Sequence, residues 1–278
     1  MDATTPFQYS YDGMVLRVED VSLTLGGNLI LDHVSFEIKN VTRPDAIAGQ
    51  VVGLLGPSGI GKTQLFHILS GLNKPDAGHV LIGDPGVVVE RGMVGVVAQH
   101  YPLFAHRTVM GNLMVAGERS GKPAGECVQK ANSLLERFRL EDRAGVYPSQ
   151  LSGGQRQRVA IAQQIMCSDQ FLLMDEPFSG LDLLAIGRVQ DLIHEISTAH
   201  ELNTIIVVTH DLVAAMEVCD TLILLGRNSD EQGKFKPGAR IQASYNLIDR
   251  GLAWRKDIAT TPEFLETLRE IRQRFALL

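Results

Sequence analysis

The sequence predicts an α/β fold: a mixed sheet with a core of buried strands, an antiparallel β layer beside it and an inserted helical subdomain. Three observations carry that expectation. Val51-Val52-Gly53-Leu54-Leu55, Phe171-Leu172-Leu173-Met174 and Ile205-Ile206-Val207-Val208 are short continuous apolar runs, the pattern of strands buried on both faces. The first of these runs leads straight into a glycine-rich loop, Gly56 to Thr63, and then into a helical pattern. Between Gln99 and Gln155 the period changes, and Leu134, Leu135, Phe138 and Leu140 recur at helical spacing in a charged background.

In chain order, apolar runs near 14–25 and 34–39 supply the antiparallel layer, and the stretch Asn40 to Gln50, with Pro44 and Gly49, reads as an exposed loop. Residues 51–55, 93–98, 171–175, 205–209 and 221–225 read as core strands. The core should be complete after Gly226. Residues 229–238 are polar and contain Lys236-Pro237-Gly238, which suggests a linker or turn. Thr261-Pro262-Glu263 then marks a helix start, with Phe264, Leu268, Ile271 and Phe275 on one face, expected to dock on the chain's own core. The division expected is therefore a core of 1–98 and 166–228, a helical subdomain of 99–165 and a C-terminal extension of 229–278.

The loop Gly56-Pro57-Ser58-Gly59-Ile60-Gly61-Lys62-Thr63 fits G-x-x-x-x-G-K-[ST] in the strand–loop–helix context that gives this pattern meaning. Gly56, Ser58, Gly59 and Gly61 allow successive N–H groups to face a phosphate, and the helix beginning near Gly61 adds its positive dipole end. Lys62 would reach the β- and γ-phosphates of a nucleotide, and the Thr63 hydroxyl would ligate Mg²⁺. Asp175 and Glu176 end a buried strand, where ligands of such sheets bind. Asp175 suits the Mg²⁺ shell, and Glu176 is placed to orient or deprotonate an attacking water. Leu151-Ser152-Gly153-Gly154-Gln155 precedes a helical run, so Ser152 and the glycine N–H groups form a second anion-binding helix end on the same chain.

With these three segments in this order, the chain resembles the ATP-binding cassette ATPases over roughly residues 14–228. The resemblance implies ATP and Mg²⁺ as cofactors and a site completed between two chains, in which Ser152, Gly153, Gly154 and Gln155 of one chain cover the γ-phosphate bound by the other. It also implies that Gln99 contacts Mg²⁺ and water, that Asp182 in Ser179-Gly180-Leu181-Asp182 lies near the dimer seam, and that His210 holds the γ-phosphate. Tyr101 to Val109 is richer in apolar residues than a solvent loop requires, and in the family this neighbourhood receives a helix of the membrane subunit. Leu103 and Phe104 could equally pack the subdomain.

The chain departs from the family pattern in three places, the first being the stretch Asn40 to Gln50, longer than the tight turn usual between those two strands. Leu25 stands where an aromatic ring usually stacks on adenine, which removes a contact worth about 1–3 kcal/mol per base in nucleic-acid proteins. Tyr9 or Tyr11 could supply a ring instead. Gln163 replaces a common arginine in Ala160-Ile161-Ala162-Gln163-Gln164 and drops its charge.

The composition agrees with this class. A chain of 278 residues with 45% hydrophobic content can bury a sizeable core, and its formal charge of −6 argues against a nucleic-acid partner. Cys127, Cys167 and Cys219 show no paired spacing and read as reduced thiols. No stretch has the apolar length of a transmembrane helix, and the N-terminus lacks a signal-peptide pattern. The expectation is an ATPase subunit, a homodimer or heterodimer at the cytoplasmic face of a cell membrane, driving a separate permease and fed by a solute-binding protein. The segment 99–109 resembles polar amino-acid uptake ATPases, whereas Glu176-Pro177-Phe178-Ser179 is closer to nitrate or sulfonate importers, so uptake of a small polar solute is favoured. A soluble remodelling ATPase, an export or lipid system, and a non-hydrolysing scaffold are the alternatives.

Overall fold

The computed structural model describes residues 8–43, 49–98, 101–168, 171–198, 204–255 and 257–278. Among them the strands are β1 (Ser10–Leu25), β2 (Asn28–Thr42), β3 (Gln50–Leu55), β4 (Ala77–Ile82), β5 (Val87–Val88), β6 (Gly95–Val97), β7 (Phe171–Asp175), β8 (Thr204–Thr209), β9 (Thr221–Ser229) and β10 (Phe235–Asn246). They form one mixed sheet in the order β5-β4-β1-β2-β10-β9-β3-β8-β7-β6. The helices are α1 (Lys62–Leu69), α2 (Val109–Arg119), α3 (Ala124–Arg137), α4 (Gly153–Cys167), α5 (Leu183–Ser197), α6 (Leu212–Val218) and α7 (Pro262–Phe275).

The strands that read as continuous apolar runs are the central ones. Every residue of β3 and β8 is buried, and β7 is buried up to Asp175. β3, β8, β7 and β6 pair in parallel, and their registers match Leu55 with Thr209 and Asp175 with Val208. Their carboxyl ends therefore open along one edge. The sheet separates two apolar clusters: Leu54, Leu65, Phe66 and Ile206 lie in one, and Val51, Phe138, Ile161 and Val207 in the other. Alternate residues of each strand face opposite layers, as the period of two requires.

The second of these clusters takes in the helical insertion. Leu113 of α2, Leu135 of α3 and Val159 of α4 share it, and Leu134, Leu135, Phe138 and Leu140 are all buried, so the helical spacing read in the sequence marks a packed face. Gln163 is buried between helices, and its Nε2 donates to the carbonyl of Asn112 at 3.3 Å. A neutral amide suits this dry position better than a charged side chain would.

The structure departs from the sequence reading at four places. Of the linker or turn expected over 229–238, the turn is present at 230–234 but the linker is not: the turn closes a hairpin whose second strand, β10, pairs antiparallel with β9 and meets β2 in parallel at Ala239 and Leu31. The core is thus not complete at Gly226, because β10 joins the antiparallel layer to the parallel strands. Its sequence, Phe235-Lys236-Pro237-Gly238-Ala239-Arg240, carries turn residues and charges inside a strand, which hides it from a search for apolar runs. Second, Gly49 is buried, and its N–H donates to the carbonyl of Ser197 at 2.7 Å, so it does not mark an exposed loop; Pro44 lies outside the described residues. Third, both strands of the antiparallel layer are longer than the apolar runs: β1 begins with the exposed residues 10–13, and β2 extends its run at both ends with residues of mixed burial. Fourth, β6 is shorter than the run 93–98, covering only Gly95–Val97.

At the C-terminus α7 starts where the sequence placed it. Thr261 accepts the Phe264 N–H at 3.3 Å as N-cap, Pro262 occupies the first position, and Phe264, Leu268 and Ile271 are buried in the main cluster. That face is covered by the chain itself. Cys127 and Cys219 are buried free thiols, and Cys167 is half-buried. No helix among the described residues is long and apolar enough to cross a membrane.

Candidate active site

The site is built where β3, β8 and β7 end side by side. β3 runs into the loop at Gly56, and three glycines there are required by geometry. A Cβ on Gly56 would lie 2.5 Å from the Leu225 carbonyl oxygen, and Gly59 and Gly61 hold φ of +76° and +115°. L-residues with side chains rarely adopt such angles. Gly61 is also the N-cap of α1, with Ile30 and Leu31 packed against it, so the first turn of that helix faces the loop. No acidic residue occupies the first turn of α1, and its dipole is left to act on a bound anion. Ser58 and Thr63 are exposed beside it.

Lys62 is the buried member of the loop. Its Nζ donates to the carbonyls of Gly56 and Pro57 at 2.8 and 3.2 Å and lies 3.7 Å from Glu176 Oε1. Burial pushes its ammonium pKa down, and the neighbouring Glu176 and Asp175 pull it back up. Asp175 shows the converse: burial and the adjacent Glu176 push its carboxyl up, while His67 and Lys62 pull it down. Two acids and a lysine thus share a small, half-dry volume. Perturbed groups of this kind gather at functional sites.

Glu176 is held from several sides. Its backbone sits at φ +48°, its N–H donates to the Val208 carbonyl at 2.8 Å, and its Oε2 accepts from the Thr209 hydroxyl at 3.0 Å. His210 Nδ1 lies 3.0 and 2.9 Å from its two carboxylate oxygens. A left-handed glutamate costs on the order of 1–3 kcal/mol, which the surrounding bonds offset, and such strain concentrates where a side chain must be aimed. Thr209, fully buried at the end of β8, was not singled out from the sequence. Its signal was the register of two parallel strands, which sequence does not display.

The second helix end lies at α4. Ser152 is the N-cap: its Oγ accepts from the Gln155 N–H at 3.3 Å, and Gln155 Oε1 accepts from the Ser152 N–H at 2.9 Å. This capping box leaves the Ser152 hydroxyl proton free to donate. Ser152, Gly153 and Gly154 are exposed, and no atom lies within 4 Å of where a Cβ would stand on either glycine. An incoming anion can therefore approach the backbone N–H groups directly. Asp182 is exposed and caps α5, its Oδ1 accepting from Ala185 N–H at 2.8 Å. Gln99 lies outside the described residues.

The remaining sequence candidates fall in different places. Leu25 ends β1 with its side chain 43% exposed, beside the Gly26-Gly27 turn. Tyr9 and Tyr11 cannot take over as a ring for adenine: Tyr9 bonds Asp249, and both hydroxyls accept from Asn246 Nδ2 at 3.0 Å. Tyr11 is also fourteen residues along β1 from Leu25, up to about 46 Å at about 3.3 Å per residue. In the segment after Gln99, Leu103 packs against the main cluster while the Phe104 ring is 45% exposed. In that segment Leu103 therefore packs the subdomain, and Phe104 is left at the surface. Asn112, fully buried, clamps it by accepting from Phe104 N–H at 2.7 Å and donating to the carbonyls of Phe104, Arg107 and Thr108.

A strand–loop–helix phosphate cradle, an Asp-Glu strand end and a second exposed helix end define a nucleotide-binding α/β protein with an inserted helical unit. Comparison with known proteins specifies the family. Residues 39–179 match the family model described as ABC transporter, and the chain belongs to the ATP-binding subunits of that family. It is 37% identical over 227 residues to the sulfate/thiosulfate import ATP-binding protein CysA 2 of Shewanella oneidensis, covering 79% of this chain and 61% of that one. The corresponding protein of Pseudomonas aeruginosa is 38% identical over 232 residues, covering 79% and 66%. The chain thus spans about three-fifths to two-thirds of the length of these relatives. The structure of cbiO1 from Clostridium perfringens, titled as part of the ABC transporter complex cbiONQ, shares the fold with a TM-score of 0.71 at 24% identity, covering 95% of this chain and 97% of that one.

Proposed function

We propose that this chain is the ATP-hydrolysing subunit of an ABC importer, working as a dimer whose two nucleotides are each held between the loop at 56–63 of one chain and Ser152 to Gln155 of the other. The observation that carries the reading is the convergence of Lys62, Asp175, Glu176 and His210 at the ends of β3, β7 and β8, with a second anion-binding helix end exposed elsewhere on the same chain. A chain with two such half-sites is completed by a second copy or a close homologue.

In this reading the loop N–H groups and Lys62 bind the phosphates, and Leu25 covers the base. Thr63 and Asp175 offer a hydroxyl and a half-buried carboxylate, hard oxygen donors that fit Mg²⁺, with Gln99 as a further ligand. The metal would supply neutralisation of the charge developing between the β- and γ-phosphates. Glu176 takes the proton of the attacking water, and His210, which holds the carboxylate of Glu176 here, turns to the γ-phosphate once nucleotide is bound. The chemistry is mainly positioning and electrostatics. Closure does work on a partner because ATP has differential affinity for the closed dimer.

Residues 99–165 are the unit that carries Ser152 to Gln155, the signature segment at the start of α4, with residues 101–109 as the docking face for a permease. The protein would then sit at the cytoplasmic face of the membrane. Uptake of a small polar solute follows from the importer relatives, and because those are sulfate/thiosulfate import proteins, sulfate and thiosulfate are the first solutes to try. Steady-state hydrolysis by the purified chain tests the catalytic part. Mg²⁺-dependent turnover, reduced on the order of 10²–10³-fold in Lys62→Ala, is expected from losing one charge-stabilising donor. Equal turnover by both proteins would contradict it.

A further inference from the structure

The phenol of Tyr101 bonds two segments that the catalytic reading treats separately. Gln157 Nε2 donates to the Tyr101 hydroxyl at 2.8 Å, and that hydroxyl donates to the Pro177 carbonyl at 3.5 Å. Gln157 lies in the second turn of α4, the helix capped by Ser152, and its side chain is buried. Pro177 directly follows Glu176. The ring itself is half-buried against the main cluster, and its hydroxyl can accept one hydrogen bond while donating another.

We propose that Tyr101 is a positioning residue for hydrolysis, its hydroxyl fixing the signature helix relative to the Glu176 strand end so that closure of the dimer brings both into register. The proposal rests on the ATPase reading above. Two features beyond the bonds support it. Tyr101 and Glu176, the residue before Pro177, both adopt left-handed backbone angles, φ +47° and +48°, conformations that surrounding structure must impose. The residues next to Tyr101 are also tied by Asn112 to α2, which shares the helical cluster with α4, so the docking segment and the signature helix are fastened at two points.

Removing the hydroxyl would leave the Gln157 amide dry and without its acceptor and release the Pro177 carbonyl, while a phenyl ring would still fill the core. Among the described residues, the bonds of these atoms run to one another and not to the phosphate-binding loop. Relative placement of α4 and Glu176 should therefore suffer, and nucleotide binding by one chain should not.

The test uses the full chain as wild type, Tyr101→Phe, Gln157→Met and the double variant, with ATP affinity measured on the Mg²⁺-free protein, kcat and KM at steady state, and the thermal midpoint. Tyr101→Phe is expected to keep Kd and KM within about twofold and to lower kcat about 5- to 20-fold, the pattern left when positioning of the catalytic groups is lost and ground-state binding is not. The double variant should be no slower than Tyr101→Phe, because both changes cut one link. Unchanged kcat would overturn the proposal, as would a fall in kcat matched by weaker ATP binding, or losses that multiply in the double variant. If the Phe variant does not fold, Gln157→Met is read alone: the same kcat loss at constant KM is expected, and wild-type kcat contradicts it. A wild type that does not hydrolyse ATP refutes the ATPase reading itself, which keeps the two failures apart.

Discussion

Leu25 shows how one residue can alter nucleotide choice without touching the chemistry. It offers an apolar contact with no π-face, half-exposed at the end of β1. Since the loop reads phosphates and not the base, GTP should be hydrolysed within a few-fold of ATP at saturating nucleotide; a tenfold slower rate would contradict this. Leu25→Tyr should lower the KM for ATP about 5-fold or more if the ring gains about 1 kcal/mol of stacking. An unchanged KM would show that the base lies elsewhere. The loop glycines, Lys62, Asp175 and Glu176 were legible in the sequence because phosphate binding needs backbone angles and charges that few residue types supply. Thr209 was not, since a hydroxyl aimed at Glu176 depends on strand register. Tyr101 was read only as part of an apolar segment, because its value lies in partners 56 and 76 residues away.

At the scale of elements, β10 is the lesson and α4 the control. β10 escaped sequence reading because Pro237 and Gly238 are turn residues by habit, yet Gly238 is needed where it stands. Its φ is +82°, and a Cβ would lie 2.5 Å from that of Asp32 and 2.9 Å from the Leu29 side chain. Gly238→Ala should therefore destabilise the chain by about 1–3 kcal/mol in urea unfolding, through overpacking and backbone strain. Loss under about 0.5 kcal/mol, the range of inert surface changes, would show that β2 and β10 do not meet this closely. The start of α4 was legible because Ser152 and two glycines precede a helical run, and the structure adds the reciprocal Gln155 bond that completes a capping box. Ser152→Ala should cost about 1 kcal/mol of stability, and turnover should fall further than that loss alone explains, since the same hydroxyl would serve a second chain's phosphate.

Over the whole molecule, one buried acid ties the central sheet to the C-terminal region. Asp220 accepts from Val51 N–H at 2.8 Å, and its own carbonyl accepts from Leu247 N–H at 2.9 Å. Burial raises its pKa to about 7, against the pull of the Val51 bond and of Arg43. The folded chain therefore binds a proton that the unfolded chain, with an aspartate near 3.9, has released. This group's contribution to stability is complete below about pH 4 and is lost as pH rises through about 7. Asp220→Asn, which keeps an oxygen for Val51, should flatten that dependence between pH 5 and 8 in urea titrations; a slope equal to wild type would contradict it. The overall α/β class was legible because buried parallel strands are apolar throughout, whereas the joining of the two sheet regions through β10 was not, because that contact is set by topology. The central claim concerns two chains, and it is tested most directly by light scattering of Glu176→Gln with ATP and Mg²⁺ beside the wild type. The account predicts a variant slowed about 10²-fold or more that accumulates as a stable ATP-bound dimer, while the wild type hydrolyses and returns to monomer. A variant that remains monomeric with ATP bound, or that hydrolyses at the wild-type rate, would contradict it.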